Sequence, residues 1–162
     1  MNSTLEKRRK VLSSSLSLSY AKPLHIVKGS GQFLYDKNGV KYLDGINNIQ
    51  HVGHAHPRIS SAAYKQLQIL NTNTRYLDQH VLDYAEKLLK KLPRKLSVCF
   101  FTNSGSESND LALRLARTYT QSSDTIVLEG AYHGHTESLI NVSPYKYKGP
   151  GGFTPPQYIH EI

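Results

Sequence analysis

Apolar and polar positions along this chain follow two periods in turn, and the change between them marks out its elements. Between Leu24 and Asp44 the apolar residues come in short runs: Ile26 with Val27, the stretch Gln32 to Asp36, and Val40 to Leu43. That spacing predicts a small antiparallel meander. Asp36-Lys-Asn-Gly39 is the turn between its last two strands, with Asn-Gly supplying positive φ. An irregular segment, Asn47 to Pro57, follows. From Ile59 to Leu70 the period becomes helical, with Ile59, Ala62, Ala63 and Gln66 or Leu67 on one side. A second helix, about Asp78 to Leu92, carries Val81, Leu82, Ala85, Leu88, Leu89 and Leu92 on an apolar face and is closed by Pro93. A strand at 97–102, a helix at 105–120 and a strand at 125–129 then predict a βαβ unit, the opening of a doubly wound parallel sheet. Residues 144–156, rich in Pro, Gly, Tyr and Lys, read as a loop, and Tyr158 to Ile162 starts one more strand. The fold class expected is α/β, with no internal repeat.

The most informative stretch runs from Val98 to Arg117. Its apolar opening, Val98 to Thr102, breaks at Asn103-Ser-Gly-Ser106 and resumes with Leu111 and Leu115 four apart. Ser104 followed three residues later by Glu107 has the form of a capping box, so a helix starts there. A strand, a small-residue turn and a helix N-terminus together present free backbone N–H groups and a positive dipole end to an anion. Gly105 lets a ligand approach the backbone, and the Ser104 and Ser106 hydroxyls can donate to phosphate oxygens. Taken alone, these four residues are better explained by an ordinary βα turn carrying a helix cap.

A second stretch, Val127 to Thr136, changes that balance. It puts Tyr132-His133-Gly134 at the C-terminal end of the next strand, and in an open α/β sheet ligands sit outside the carboxyl ends of strands. The two stretches together would offer a phosphate cradle and an aromatic face to one ligand.

Thr102-Asn-Ser-Gly-Ser-Glu107 and Tyr132-His-Gly134, at this spacing, resemble the class III aminotransferases, pyridoxal-5'-phosphate (PLP) enzymes of the aspartate-aminotransferase-like fold (PLP-dependent transferase fold type I). The likeness extends to Gly39-Val-Lys-Tyr-Leu-Asp44, Ile46 to Pro57, Leu70-Asn-Thr-Asn-Thr-Arg-Tyr-Leu77 and Ser143-Pro-Tyr-Lys146. As a set these are most similar to the branch with the ethanolamine-phosphate and 5-phosphohydroxylysine phospho-lyases, often labelled alanine–glyoxylate aminotransferase 2-like. The resemblance covers nearly the whole chain from about Thr4. It implies a basic N-terminal arm (1–23), the N-terminal part of a small domain with its linker (24–75), and the start of a PLP-binding large domain (76–162), left incomplete.

By that resemblance, Ser104, Gly105 and Ser106 hold the cofactor phosphate, Tyr132 stacks on the pyridine ring, and His133 supports it by packing or hydrogen bonding. His54-Ala-His56-Pro57 helps shape the substrate entrance near a dimer interface. Ser108 stands where most relatives carry alanine. The Schiff-base lysine and the aspartate that pairs with the pyridine nitrogen lie beyond the chain's end in the family pattern, so no catalytic residue is expected in this chain and it should be inactive alone. The expected identity is a fragment of a PLP enzyme acting on an amino compound, by transamination or by phospho-lyase elimination of phosphate and ammonia. That complete enzyme would be a homodimer with a small-molecule amine or amino acid substrate. The alternative is a short non-catalytic dimerisation partner or regulator of a full-length relative.

Composition adjusts this picture only slightly. The 162 residues suffice for one modest core, and 38% hydrophobic content with mean hydropathy −0.47 is on the polar side. No apolar run approaches the length of a membrane span. The single cysteine, Cys99, lies in an apolar run; it excludes an internal disulfide and fits an intracellular location, mitochondrial or cytoplasmic. Residues 1–19 are basic and serine-rich, compatible with a transit peptide or with the family's own N-terminal arm. The net charge of +8 resides in short clusters, Lys7-Arg-Arg-Lys10 and Lys90 to Lys95, without a nucleic-acid-binding signature, so no nucleic-acid partner is expected. Five of the eight histidines (His51, His54, His56, His133 and His135) invite a metal reading. No carboxylate stands at supportive spacing, and no metal site is expected.

Overall fold

The computed structural model describes residues 3–46 and 51–162. Met1, Asn2 and Asn47 to Gln50, the last four part of the irregular segment, lie outside the described residues. The chain divides into two compact units, one up to Tyr76 and one from Leu77 onward.

The first unit begins with the basic helix α1 (Ser3–Val11) and continues into the meander β1 (Ile26–Ser30), β2 (Phe33–Asp36) and β3 (Lys41–Leu43), ordered β1-β2-β3 and antiparallel throughout. Asp36 makes the β2–β3 turn, its carboxylate accepting from the backbone N–H groups of Asn38 (2.8 Å) and Val40 (2.9 Å). Only Gly39 takes the positive φ, +82°; Asn38 does not, because the Asx bonds of Asp36 already fix the preceding turn. Helix α2 (Pro57–Leu67) closes the unit, opening with proline at its first position, where a missing N–H costs nothing.

The second unit starts with α3 (Gln79–Leu89), capped by Asp78, whose carboxylate accepts from the N–H groups of His80 and Val81. Helix α4 (Gly105–Thr120) follows, then β4 (Thr125–Val127), the short helices α5 (Glu137–Asn141) and α6 (Pro144–Tyr147), and β5 (Ile159–Glu161). Strands β4 and β5 pair in parallel, Thr125 with Ile159, Ile126 with His160 and Val127 with Glu161. The βαβ unit is therefore built from β4, the α5–α6 crossover and β5. Residues 97–102, expected as a strand, form none and pair with no strand among the described residues. A strand is stabilised by its ladder partner, and none of the described residues provides one. Thr102 instead turns its hydroxyl to the Ser104 carbonyl and the Ser108 hydroxyl. The expected loop 144–156 contains α6.

The buried apolar core is small: Val127, Leu139 and Val142, with Leu113 and Ile159 packed against them, and Tyr147 nearby in sequence on α6. Helices α2, α3 and α4 bury no residue fully, and Val81, Leu82, Leu92, Phe100 and Phe101 are exposed. Polar bonds help hold β5 to α6. Glu161 accepts from the Tyr147 hydroxyl at 3.0 Å and from the Lys148 ammonium at 2.5 Å. Its carboxyl is held below the usual value of 4.5, first by Lys148 and then by Tyr147. A carboxyl depressed on folding contributes stability that is complete above pH 4.5 and is lost as pH falls through the lower folded value. Wild type should therefore be more thermally stable than Glu161→Gln at neutral pH, and that difference, followed by circular dichroism, should shrink as pH falls below 4.5. A difference that stays unchanged in acid would contradict the role given to Glu161.

Candidate functional site

Helix α4 starts where the capping pattern places it. Ser104 sits in extended backbone as N-cap, and its hydroxyl oxygen accepts from the Glu107 N–H at 3.1 Å. The Glu107 carboxylate accepts from the Asn103 N–H at 2.6 Å, one residue earlier than in a standard capping box. The Ser104 carbonyl takes the Ser108 N–H. Two donors remain at this end of α4: the backbone N–H groups of Gly105 and Ser106 have no acceptor among the described residues. A Cβ placed on Gly105 would meet nothing within 4 Å, so the space there is open. Unpaired N–H groups at the positive end of a sixteen-residue helix suit an oxyanion.

Tyr132 and His133 lie on a strap, residues 131–135, that crosses this helix start. Three contacts fasten it. The Ser106 hydroxyl oxygen accepts from the His135 N–H at 3.1 Å, which leaves its own proton free to donate. The Asn109 side-chain amide donates to the His133 carbonyl at 2.7 Å. Gly134 completes the closure. At φ +147°, any Cβ there would lie 2.4 Å from Leu139 Cδ1 and 2.8 Å from Ser106 Oγ. Only glycine permits this approach.

From its other side the strap is held by Ser143, fully buried. Its hydroxyl accepts from the His133 N–H at 2.9 Å and donates to the Leu139 carbonyl at 2.6 Å. The Tyr145 N–H donates to the Ala131 carbonyl at 3.1 Å. Tyr132 keeps about half its surface exposed, 53%. The structure thus brings Ser104, Gly105, Ser106, Tyr132 and His133 into one region of the second unit. What joins His133 to its neighbours is its backbone. Asn109, Gly134, Ser143, Tyr145 and Lys146 also build this region. Gly134 and Ser143-Pro-Tyr-Lys146 stood in the sequence as motifs of the family resemblance, without a stated role, and nothing singled out Asn109.

In the first unit, His54 hydrogen-bonds the Asp44 carboxylate at 2.6 Å, so the His51–His56 segment does have a partner carboxylate. It escapes a spacing argument because Asp44 comes from the end of the meander, ten residues earlier. No group of three or more His, Cys, Asp or Glu side chains converges among the described residues.

The family profile described as aminotransferase class-III matches residues 17–160. The chain belongs to the class III aminotransferase family. Among class III relatives, the alanine–glyoxylate aminotransferase 2-like protein of Drosophila melanogaster is 48% identical over 158 residues, covering 97% of this chain and 32% of its own length. Ethanolamine-phosphate phospho-lyase homolog 1 of Caenorhabditis elegans is 43% identical, with 96% of this chain and 33% of its own length covered. Among solved structures, a phospholyase from Arthrobacter in complex with phosphoethanolamine superposes with a TM-score of 0.86 at 40% identity. That match covers 98% of this chain and 37% of the other. The α/β fold is therefore that of class III enzymes, and the chain spans about a third of the length of the relatives it matches. No helix among the described residues is long and apolar enough to cross a membrane.

Proposed function

We propose that the start of α4 and the 131–135 strap form the phosphate- and ring-binding part of a PLP site. One observation carries this reading: the N–H groups of Gly105 and Ser106 are unpaired beside open space, next to an exposed tyrosine ring. Ser104 and Ser106 add hydroxyl protons to the cradle. Tyr132 supplies a flat apolar face that holds the pyridine ring in orientation. His133 fixes the strap through its backbone bonds to Ser143 and Asn109. Bound PLP supplies an electron sink for chemistry at an amino substrate's α-carbon. The residues of this chain bind and orient it. Catalysis calls on a lysine and an aspartate that none of this chain's motifs supplies, so activity belongs to a longer enzyme containing this segment.

That enzyme acts on a small amine or amino acid as a homodimer inside the cell, with residues up to Tyr76 contributing to its small domain. Phospho-lyase chemistry on a phosphorylated amine is favoured over transamination. The support is the Caenorhabditis relative's name and the phosphoethanolamine in the Arthrobacter complex. The exposed apolar faces of α2 and α3 also favour a second reading, a short non-catalytic partner of a full-length relative. Intact mass of the endogenous protein separates the two. A mass far above 18.2 kDa supports the enzyme, and a stable 18.2 kDa species supports the partner.

The cofactor assignment is tested by Ser106→Ala. One donor to a charged phosphate is lost while both backbone N–H groups stay, so PLP affinity should fall by roughly three- to tenfold, about 1 kcal/mol. Affinity for pyridoxal, which lacks the phosphate, should fall less, because it loses only the strap contact between the Ser106 hydroxyl and the His135 N–H. Equal losses for both compounds would remove Ser106 from the cradle.

A further inference from the structure

The Lys146 ammonium has no anionic partner among the described residues. The other lysine beside α6, Lys148, is paired with Glu161. No carboxylate bonds Lys146 among the described residues, and its Nζ instead lies over two rings, 5.5 Å from the centroid of Tyr132 and 5.5 Å from that of Tyr145. Both distances fall within cation–π range. The two rings meet edge to face, with centroids 6.2 Å apart and planes at 75°. Lys146 and Tyr145 sit on α6, whose start is immobilised: Ser143 and Pro144 are fully buried, and the Tyr145 N–H is bonded to the Ala131 carbonyl. One rigid turn thus presents a cation to a face of the Tyr132 ring and a second ring against it.

We propose that Lys146 is a positioning residue for Tyr132. With its ammonium over one face and Tyr145 against the ring, it holds the tyrosine plane and leaves the opposite face to receive the cofactor ring. This rests on the cofactor reading above, and Lys146 itself touches neither PLP nor substrate. A tyrosine on a solvent-facing strap would otherwise sample several χ1 wells, and choosing one at binding would cost affinity.

The test is a double-mutant cycle on PLP affinity, with Lys146→Gln, Lys146→Arg, Tyr132→Ala and the Tyr132→Ala/Lys146→Gln pair, each checked for an unchanged thermal midpoint. Lys146→Gln should weaken PLP by about three- to fivefold, the scale of an exposed cation–π contact, and should alter the near-ultraviolet circular dichroism of bound PLP. Lys146→Arg should restore both, and the glutamine change should add nothing once Tyr132 is alanine. An equal loss in the Tyr132→Ala background would overturn the proposal, because Lys146 would then act on the cofactor directly. So would unchanged affinity in Lys146→Gln while Tyr132→Ala weakens binding, which leaves the cofactor reading intact. Unchanged affinity in both single variants would overturn the proposal and the cofactor reading together.

Discussion

Gly134→Ala is expected to lower the thermal midpoint sharply and to abolish measurable PLP binding in the same variant. The added methyl would sit 2.4 Å from Leu139 Cδ1, 2.8 Å from Ser106 Oγ and 3.1 Å from Ser106 Cα. Leu139 cannot retreat easily, since it is 1% exposed and central to the core. Ser106 cannot retreat either, because its backbone is the first turn of α4. Overpacking of this kind costs about 1–3 kcal/mol, and holding alanine at φ +147° adds strain of about 1–3 kcal/mol. The strap would relieve both by lifting from α4, breaking the bonds to His135 and His133. Thermal unfolding and PLP titration of one sample check the two effects. A variant with native stability and native affinity would show that the close approach at Gly134 does not organise the site.

Tyr132→Ala is the second large effect, and it should act on the cofactor with little effect on the fold. The ring is 53% exposed and makes no hydrogen bond among the described residues, so its removal opens no cavity in the core. Covering an aromatic ring face with the cofactor contributes about 1.5–3 kcal/mol. Affinity for PLP should therefore drop about ten- to a hundredfold, with a thermal midpoint close to wild type. Pyridoxal should lose as much as PLP, because stacking does not involve the phosphate. That contrast separates Tyr132 from Ser106. Unchanged affinity would remove the ring from the site.

Much of this was legible in the sequence because it depends on local rules. The meander follows from short apolar runs and the Asp36–Gly39 turn, and the three longer helices from apolar spacing, with a cap at Ser104 and a stop at Pro93. The helix start at Ser104-Gly-Ser106 needed only a cap and a glycine to be located. The unread features depend on contacts between distant residues. Residues 97–102 have strand composition, but composition cannot supply a ladder partner. Helices α5 and α6 are five and four residues long, too short to show a period. The strap's fastening joins Ser106 to His135 and Asn109 to His133, pairs 29 and 24 residues apart that no spacing rule connects. His54 met Asp44 for the same reason.

The account stands on the two unpaired N–H groups at the start of α4. The most direct measurement is the amide nitrogen–proton spectrum of the purified protein during titration with PLP and, separately, with pyridoxal. Saturating PLP should displace the Gly105 and Ser106 resonances strongly, as expected when an N–H gains a phosphate acceptor, while pyridoxal leaves both nearly in place. Resonances that stay put at saturating PLP, or that move equally with pyridoxal, would contradict the phosphate cradle.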